Sequence, residues 1–308
     1  MDQEEVPVSQ VEAIRDVTMT SPSHTVIAAA SPNNEAPCPT CASNSSSMAT
    51  SYVYSIGRIE ARFPLLSVEK EFAQAAGRAE TAGQTEHEMF SNVLSKPENR
   101  YLARQLCWVL SIQGLDTYIL QPRDPIDFDR LVNALRPKPS AMDIDLVIGM
   151  RGPIAPPEFC NGLMVPIILF DQIYSFKRGD LLKAIPVPEN MKEKAAKERF
   201  ESMAEEVFER IIQITDNAGA TADHRALNYL AVRSPAIYAK AAEEFARDFS
   251  MTGVETRPSS LSATRSIVDV ILVFTNRNTD FQEKFRLRVD VTEEFPFLVT
   301  KLSPYFDH

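Results

Sequence analysis

The chain has 308 residues, 44% of them hydrophobic and 24% charged, with 32 Lys and Arg against 42 Asp and Glu for a formal charge of -10. That is apolar material for one large or two small domains, and the acidic balance excludes a nucleic-acid partner, which would need a concentrated basic surface. No stretch approaches the ~18 apolar residues of a membrane span, and the acidic start Met1-Asp2-Gln3-Glu4-Glu5 is unlike an export signal, so no membrane partner and a cytoplasmic location are expected.

The first fifty residues are rich in Ser, Thr, Pro, Asn and Ala and poor in large apolar groups, a composition that cannot offset ordering entropy. Residues 1–36 are read as a disordered tail and 37–308 as one domain, with a soft division near 185. Tyr52-Val53-Tyr54-Ser55-Ile56 alternates as a strand and ends at Gly57. A helix is expected from an N-cap at Ser67, with Val68, Phe72, Ala75 and Ala79 on one face. Another is expected from Pro97, with Leu102, Leu106, Val109 and Leu110 as its stripe, Cys107 inside it and Gly114 as its stop.

Residues 117–120 form a short strand ended by Pro122, and 127–135 a short helix ended by Pro137. Residues 144–148 are strand-like. A proline-crowded loop follows at 153–162, then an apolar run, 163–170, that suits helix or strand equally. Past Ile185-Pro186-Val187-Pro188 the pattern is a long helix from 189 to about 216, a turn at Gly219, and helices at 223–232 and 235–249. The chain closes on a hairpin: 267–274 is apolar on nearly both faces, as in a central strand, and 285–291 alternates cleanly. The fold class is therefore α+β, a mixed or antiparallel sheet with a C-terminal β-hairpin packed against several helices.

In a reducing compartment four cysteines point to thiols or metal ligands. Cys38-Pro39-Thr40-Cys41 has the spacing of a zinc knuckle, and Cys107 and Cys160 complete a tetrahedral thiolate set for a structural zinc. Two other readings stay open: Cys107 as a small buried residue of its helix, and Cys38 with Cys41 as a redox pair, against which speaks the missing helix start after Cys41.

Catalytic signals are weak. His87 lies in a polar stretch, and His224 follows Thr221 and Asp223 where a helix cap accounts for the polar residues. Ser47-Met48-Ala49 lacks the glycine and the companion segments of a subtilisin-type serine, and no phosphate-binding glycine loop occurs. A tailoring enzyme would have to rest on His224, Asp171 and Glu158. Lys284, Arg286 and Arg288, outward on the last strand, locally reverse the sign of an acidic protein and could receive acidic side chains of a peptide laid along a sheet edge. The same charges also guard a strand against aggregation.

Four segments, Tyr52–Gly57, Ala155–Ile167, Asp216–Tyr229 and Val289–Phe297, together resemble the C-terminal domain of cyanobactin maturation proteases of the PatG type, over about Pro37 to His308. In that family the domain follows a subtilisin-like macrocyclase and has no established activity; here it is expected to stand alone. The resemblance implies a place in the tailoring of ribosomally made peptides. The expected function is a non-catalytic accessory protein with a structural zinc that binds a peptide precursor or a biosynthetic partner, the alternatives being a tailoring enzyme and a homodimerisation module.

Overall fold

A computed structural model describes residues 51–77, 83–185, 194–213 and 217–306, with side chains from 197 onward in the third stretch. Five strands close on themselves in the order β1-β2-β3-β5-β4, where β1 is Tyr52–Arg62, β2 Cys107–Ile112, β3 Leu115–Pro122, β4 Asp143–Ile154 and β5 Pro166–Lys177. Closure depends on β1 changing partner halfway. Its residues 52–57 pair antiparallel with β4, and 58–62 with β2. The exchange falls at Gly57, where a Cβ would stand 2.6 Å from the Ser111 carbonyl oxygen. On the far side β3 and β5 run parallel, from Ile119 opposite Ile167 to Pro122 opposite Phe170.

Side chains alternate along these strands and feed two cores. Val53, Leu110, Leu120, Val147, Ile168 and Phe170 pack with α1 (Leu66–Ala76), α2 (Glu86–Ser95), a 3-10 turn (Pro97–Arg104) and α3 (Phe128–Ala134). The opposite set, Tyr54, Ile56, Ile144, Leu146 and Ile148, packs with α4 (Arg178–Ala184), α5 (Lys194–Ile212), α6 (Ala222–Arg233) and α7 (Pro235–Ala246). Behind those helices stands an antiparallel meander, β6 (Phe249–Pro258), β7 (Ile267–Asn276), β8 (Gln282–Asp290) and β9 (Phe297–Tyr305), in chain order. Val268, Val270, Leu272, Leu287 and Val289 bring it into the second core. Residues 49–308 form one unit; the expected tail and the Cys38–Cys41 pair lie outside the described residues.

The α+β class and the C-terminal hairpin are as expected, and the ambiguous run at 163–170 resolves as β5. The helix expected from Pro97 through Leu110 is not there. A 3-10 turn ends at Arg104, and Cys107 opens a strand. A strand buried on both faces is continuously apolar, and joined to the buried Leu102 it imitates a helical stripe. Gln113 and Gly114, with φ of 51° and 81°, form the two-residue turn of the β2-β3 hairpin rather than a helix stop. Likewise β1 runs through Gly57 to Arg62, and α2, β6 and β9 had no counterpart in the sequence reading.

Asp145 ties β4 to β1, to β5 and to the segment after α3. Fully buried, it accepts from the Ile59 amide at 2.8 Å, the Ser175 hydroxyl at 2.6 Å and two Arg136 nitrogens at 3.0 and 3.1 Å. A buried carboxylate with this many donors is structural.

Candidate functional site

Cys107 and Cys160 meet. Cys160 sits in the β4-β5 loop, closed by hydrogen bonds from the Ala155 amide to the Val165 carbonyl at 2.9 Å and from the Gly162 amide to the Pro157 carbonyl at 2.7 Å. The two cysteines form a disulfide with Cα atoms 5.6 Å apart, within a small apolar cluster that includes Val109, Ile119 and Ala155. Among the described residues no three His, Cys, Asp or Glu side chains gather as metal ligands.

The basic residues of β8 are engaged within the protein. Lys284 pairs with Glu255 at 3.4 Å, while Arg286 and Arg288 converge on buried Asp269 at 3.5 and 3.0 Å. Strand β8 is also interior, with β9 beyond it. His87 lies on α2. His224 sits in the first turn of α6, where its amide donates to the Thr221 hydroxyl at 3.2 Å. Glu158 is exposed on the disulfide loop, so His224, Asp171 and Glu158 stand on three separate elements.

What the fold does bring together are the recognised segments. The loop before α6 hooks onto β1: the Tyr54 amide donates to the Gly219 carbonyl at 2.9 Å and Ser55 Oγ to the Ala218 carbonyl at 3.0 Å. Asn228 Nδ2 donates to the Tyr54 carbonyl at 2.9 Å, and Asn217 Nδ2 to Asn228 Oδ1 at 2.8 Å. Gly219 has φ +70° and lies so close to the Tyr54 carbonyl that a Cβ has no room. From α6, buried Arg225 donates to the carbonyls of Val291 at 2.6 Å, Glu294 at 3.2 Å and Glu293, and lies 5.4 Å from the Tyr52 ring centroid. Burial pulls its pKa down to about 10, leaving it charged at neutral pH. One arginine thus fixes the turn that carries Phe295, Pro296 and Phe297.

Beside that turn opens a recess of about 480 Å³, a volume suited to a small ligand. Tyr54, Leu146 and Ile148 form its floor from β1 and β4, Tyr174 and Phe176 come from β5, Leu181 from α4, and Tyr229, Val232 and Arg233 from α6. Phe295, Pro296 and Phe297 close the remaining wall. Tyr54 and Tyr229 meet edge to face at 6.2 Å. Burial pushes the Tyr54 hydroxyl upward and the positive charge of Arg233 opposes it, which sets that guanidinium within electrostatic reach of the floor. Tyr174, Phe295 and Phe297 remain about half exposed at the rim. Arg233 is the one charged residue of the lining and has no ion pair among the described residues.

Next to the Phe295–Phe297 wall, Glu294 faces Asp171 of β5, with Arg123 pairing at 2.9 Å to Asp171 and 3.5 Å to Glu294. Burial first, then the Asp171 carboxyl as hydrogen-bond partner and charge, push Glu294 up to about 7, against the pull of Arg123. Neither carboxyl lines the recess. Sequence reasoning singled out Asp171 but missed its partners, because 123, 171 and 294 share no local pattern.

Residues 194–305 match the family model described as PatG C-terminal. Among solved structures the chain is similar to one described as "PatG Domain of Unknown Function", at 20% sequence identity and a TM-score of 0.66, over 83% of this chain and 98% of that chain. The likeness shows a shared fold. Among curated proteins no relative matches the chain.

Proposed function

For a chain with the PatG C-terminal fold, we propose a non-catalytic binding role in the tailoring of ribosomally made, cyanobactin-like peptides, with the aromatic recess between β1, β5, α6 and the 295–297 turn as the site that receives a peptide or a segment of a partner enzyme. The observation that carries this reading is the chemistry of the lining: eleven of its twelve residues are uncharged, most of them aromatic or aliphatic, and no carboxylate, histidine or thiol is among them. Such a surface supplies apolar area and orientation, and no group that exchanges a proton near neutral pH. Isothermal titration of the full chain with a linear, apolar-rich precursor-type peptide should show binding that Tyr174→Ala and Phe297→Ala each weaken roughly tenfold, the worth of a buried aromatic contact. Absence of binding, or affinity unmoved by both changes, would overturn it.

The zinc read from the sequence belongs to the same proposal. Thiolates, not a disulfide, bind metal, so Cys107 and Cys160 would join Cys38 and Cys41 on an ion only when reduced. Elemental analysis of reduced protein should then find about one equivalent of zinc for the four-thiolate site, and clearly substoichiometric metal with all four thiols titratable removes it.

A further inference from the structure

The recess has one charge, and its placement suggests what is bound. Arg233 lies in the last turn of α6, where a cation already suits the helix dipole; that explains an arginine on the helix, not one at the edge of an aromatic recess without a counter-ion. Several arginines of this protein hold acids, Arg62 on Asp116, Arg123 on Asp171, Arg247 on Glu283 and Arg265 on Asp290. Arg104 and Arg151, like Arg233, are exposed without an ion pair among the described residues, but of these three only Arg233 lines the recess. With 42 acidic residues against 32 basic ones, a cation left unpaired beside an apolar recess is a vacancy for an incoming anion. Guanidinium takes a carboxylate in a two-pronged hydrogen-bonded pair. The wall opposite is preformed, since Arg225 fixes the 291–294 turn through three carbonyls, so binding costs little ordering.

Resting on the binding role proposed above, we propose that the recess reads the free C-terminus of a linear peptide, its α-carboxylate on Arg233 and its apolar or aromatic last side chain among Tyr54, Tyr174, Tyr229 and Phe297. A terminal residue carries both features on one Cα. An acidic side chain would need a separate apolar neighbour to fill the recess, and a head-to-tail cyclised or amidated peptide has no terminal carboxylate to offer. The site therefore separates linear chains from closed ones.

The test uses the full 308-residue chain and fluorescence anisotropy of three fluorescein-labelled hexapeptides: one ending in phenylalanine with a free acid, its C-terminal amide, and an amidated version with an internal glutamate. The free acid should bind roughly tenfold or more tighter than its amide, as a charge-assisted hydrogen bond implies. R233Q should erase that preference, and R233K should keep part of it. Arg233 is exposed, so both variants are expected to fold. Equal affinity for acid and amide, with Tyr174→Ala weakening both, would overturn the terminus reading and leave the binding role standing. Equal affinity of the free acid and the internal-glutamate amide would also overturn it, in favour of an acidic side chain. No binding of any of the three peptides would overturn both readings.

Discussion

The barrel, Tyr52 to Lys177, and the half that follows it are built by different rules. In the second half the strands β6 to β9 pair with their sequence neighbours, and the two central ones announce themselves, β7 by a continuous apolar run and β8 by alternation. In the barrel β1 pairs with both β2 and β4, and β3 lies parallel to β5. A strand whose partners lie far along the chain is held by tertiary context, and local pattern says less about it. Both halves bury a carboxylate, Asp145 in the barrel and Asp269 in the meander, but the barrel also relies on two devices the meander lacks, a partner exchange at Gly57 and a disulfide.

The most damaging test of this contrast is Cys160→Ser. The bridge spans 53 residues, and the loop-entropy estimate for such a span is about 4 kcal/mol. Trp108, the one tryptophan, is buried at β2 and donates to the Ala103 carbonyl at 2.8 Å, so its fluorescence reports the barrel. Its urea midpoint should fall sharply while amide exchange in β7 and β8 changes less. An unmoved tryptophan transition would show that the bridge is dispensable.

Next is Gly219→Ala, which puts a side chain where φ is positive and the Tyr54 carbonyl leaves no space. A loss of about 3 kcal/mol is expected from combined strain and overpacking. Because this loop ties β1 to α6, the tryptophan transition and amide exchange of the second half should no longer coincide. Coincident transitions would mean that the hook does not couple the halves.

Glu294 sharpens the comparison at the same joint. Its folded pKa, about 7, lies above the ordinary 4.5, so its contribution is full below pH 4.5 and is lost as pH climbs through 7. At roughly 1.4 kcal/mol per unit the shift would be worth about 3.5 kcal/mol, and solvent screening of this partly exposed carboxyl reduces the expected loss to on the order of 2 kcal/mol. Glu294→Gln should abolish it: between pH 5 and 8 the wild type should lose about that much more stability than the variant in chemical denaturation. Parallel pH profiles would contradict the assignment.

The smallest effect is expected from Arg286→Gln. Arg288 remains on Asp269 at 3.0 Å, so the cost should be about 1 kcal/mol or less, with peptide affinity untouched if the aromatic recess is the site. A large drop in affinity in a folded variant would instead locate binding on β8.

How much of this was legible follows the same division. The alternation of Phe285, Leu287 and Val289 gave β8 its face, and all three are buried. The long helix, Phe200 to Ile211, was likewise visible from its spacing, with Phe200, Met203, Val207 and Ile211 buried. The stretch from Leu102 to Leu110 was misread because two differently buried elements abut without punctuation. Helix α2 left a signal that went unused: Thr85 and Glu88 form a reciprocal capping box. The recess was half legible, since three of the four recognised segments line or support it, yet neither Tyr174 nor Arg233 stands out in sequence. Lys284, Arg286 and Arg288 stand half-buried on the face of β8 opposite its apolar residues, whereas Asp290, which the same alternation places outward, is buried, and periodicity does not show that Asp269 sits opposite Arg288 on the neighbouring strand.

The hook between β1 and α6 also sets a schedule for the chain on the ribosome. The Tyr54 carbonyl waits for Asn228, 174 residues later, and the Ser55 hydroxyl for Ala218, 163 residues later. At ~5–20 residues per second that interval is roughly 10 to 35 seconds, during which Tyr52-Val53-Tyr54-Ser55-Ile56 has neither β4 nor α6 against it for much of the time. An uncharged, aromatic and β-branched run of this kind is prone to stray strand pairing while it waits. Chain elongation, more than any single contact, therefore decides how long the first strand of the barrel stays exposed to misassembly and to the attention of chaperones.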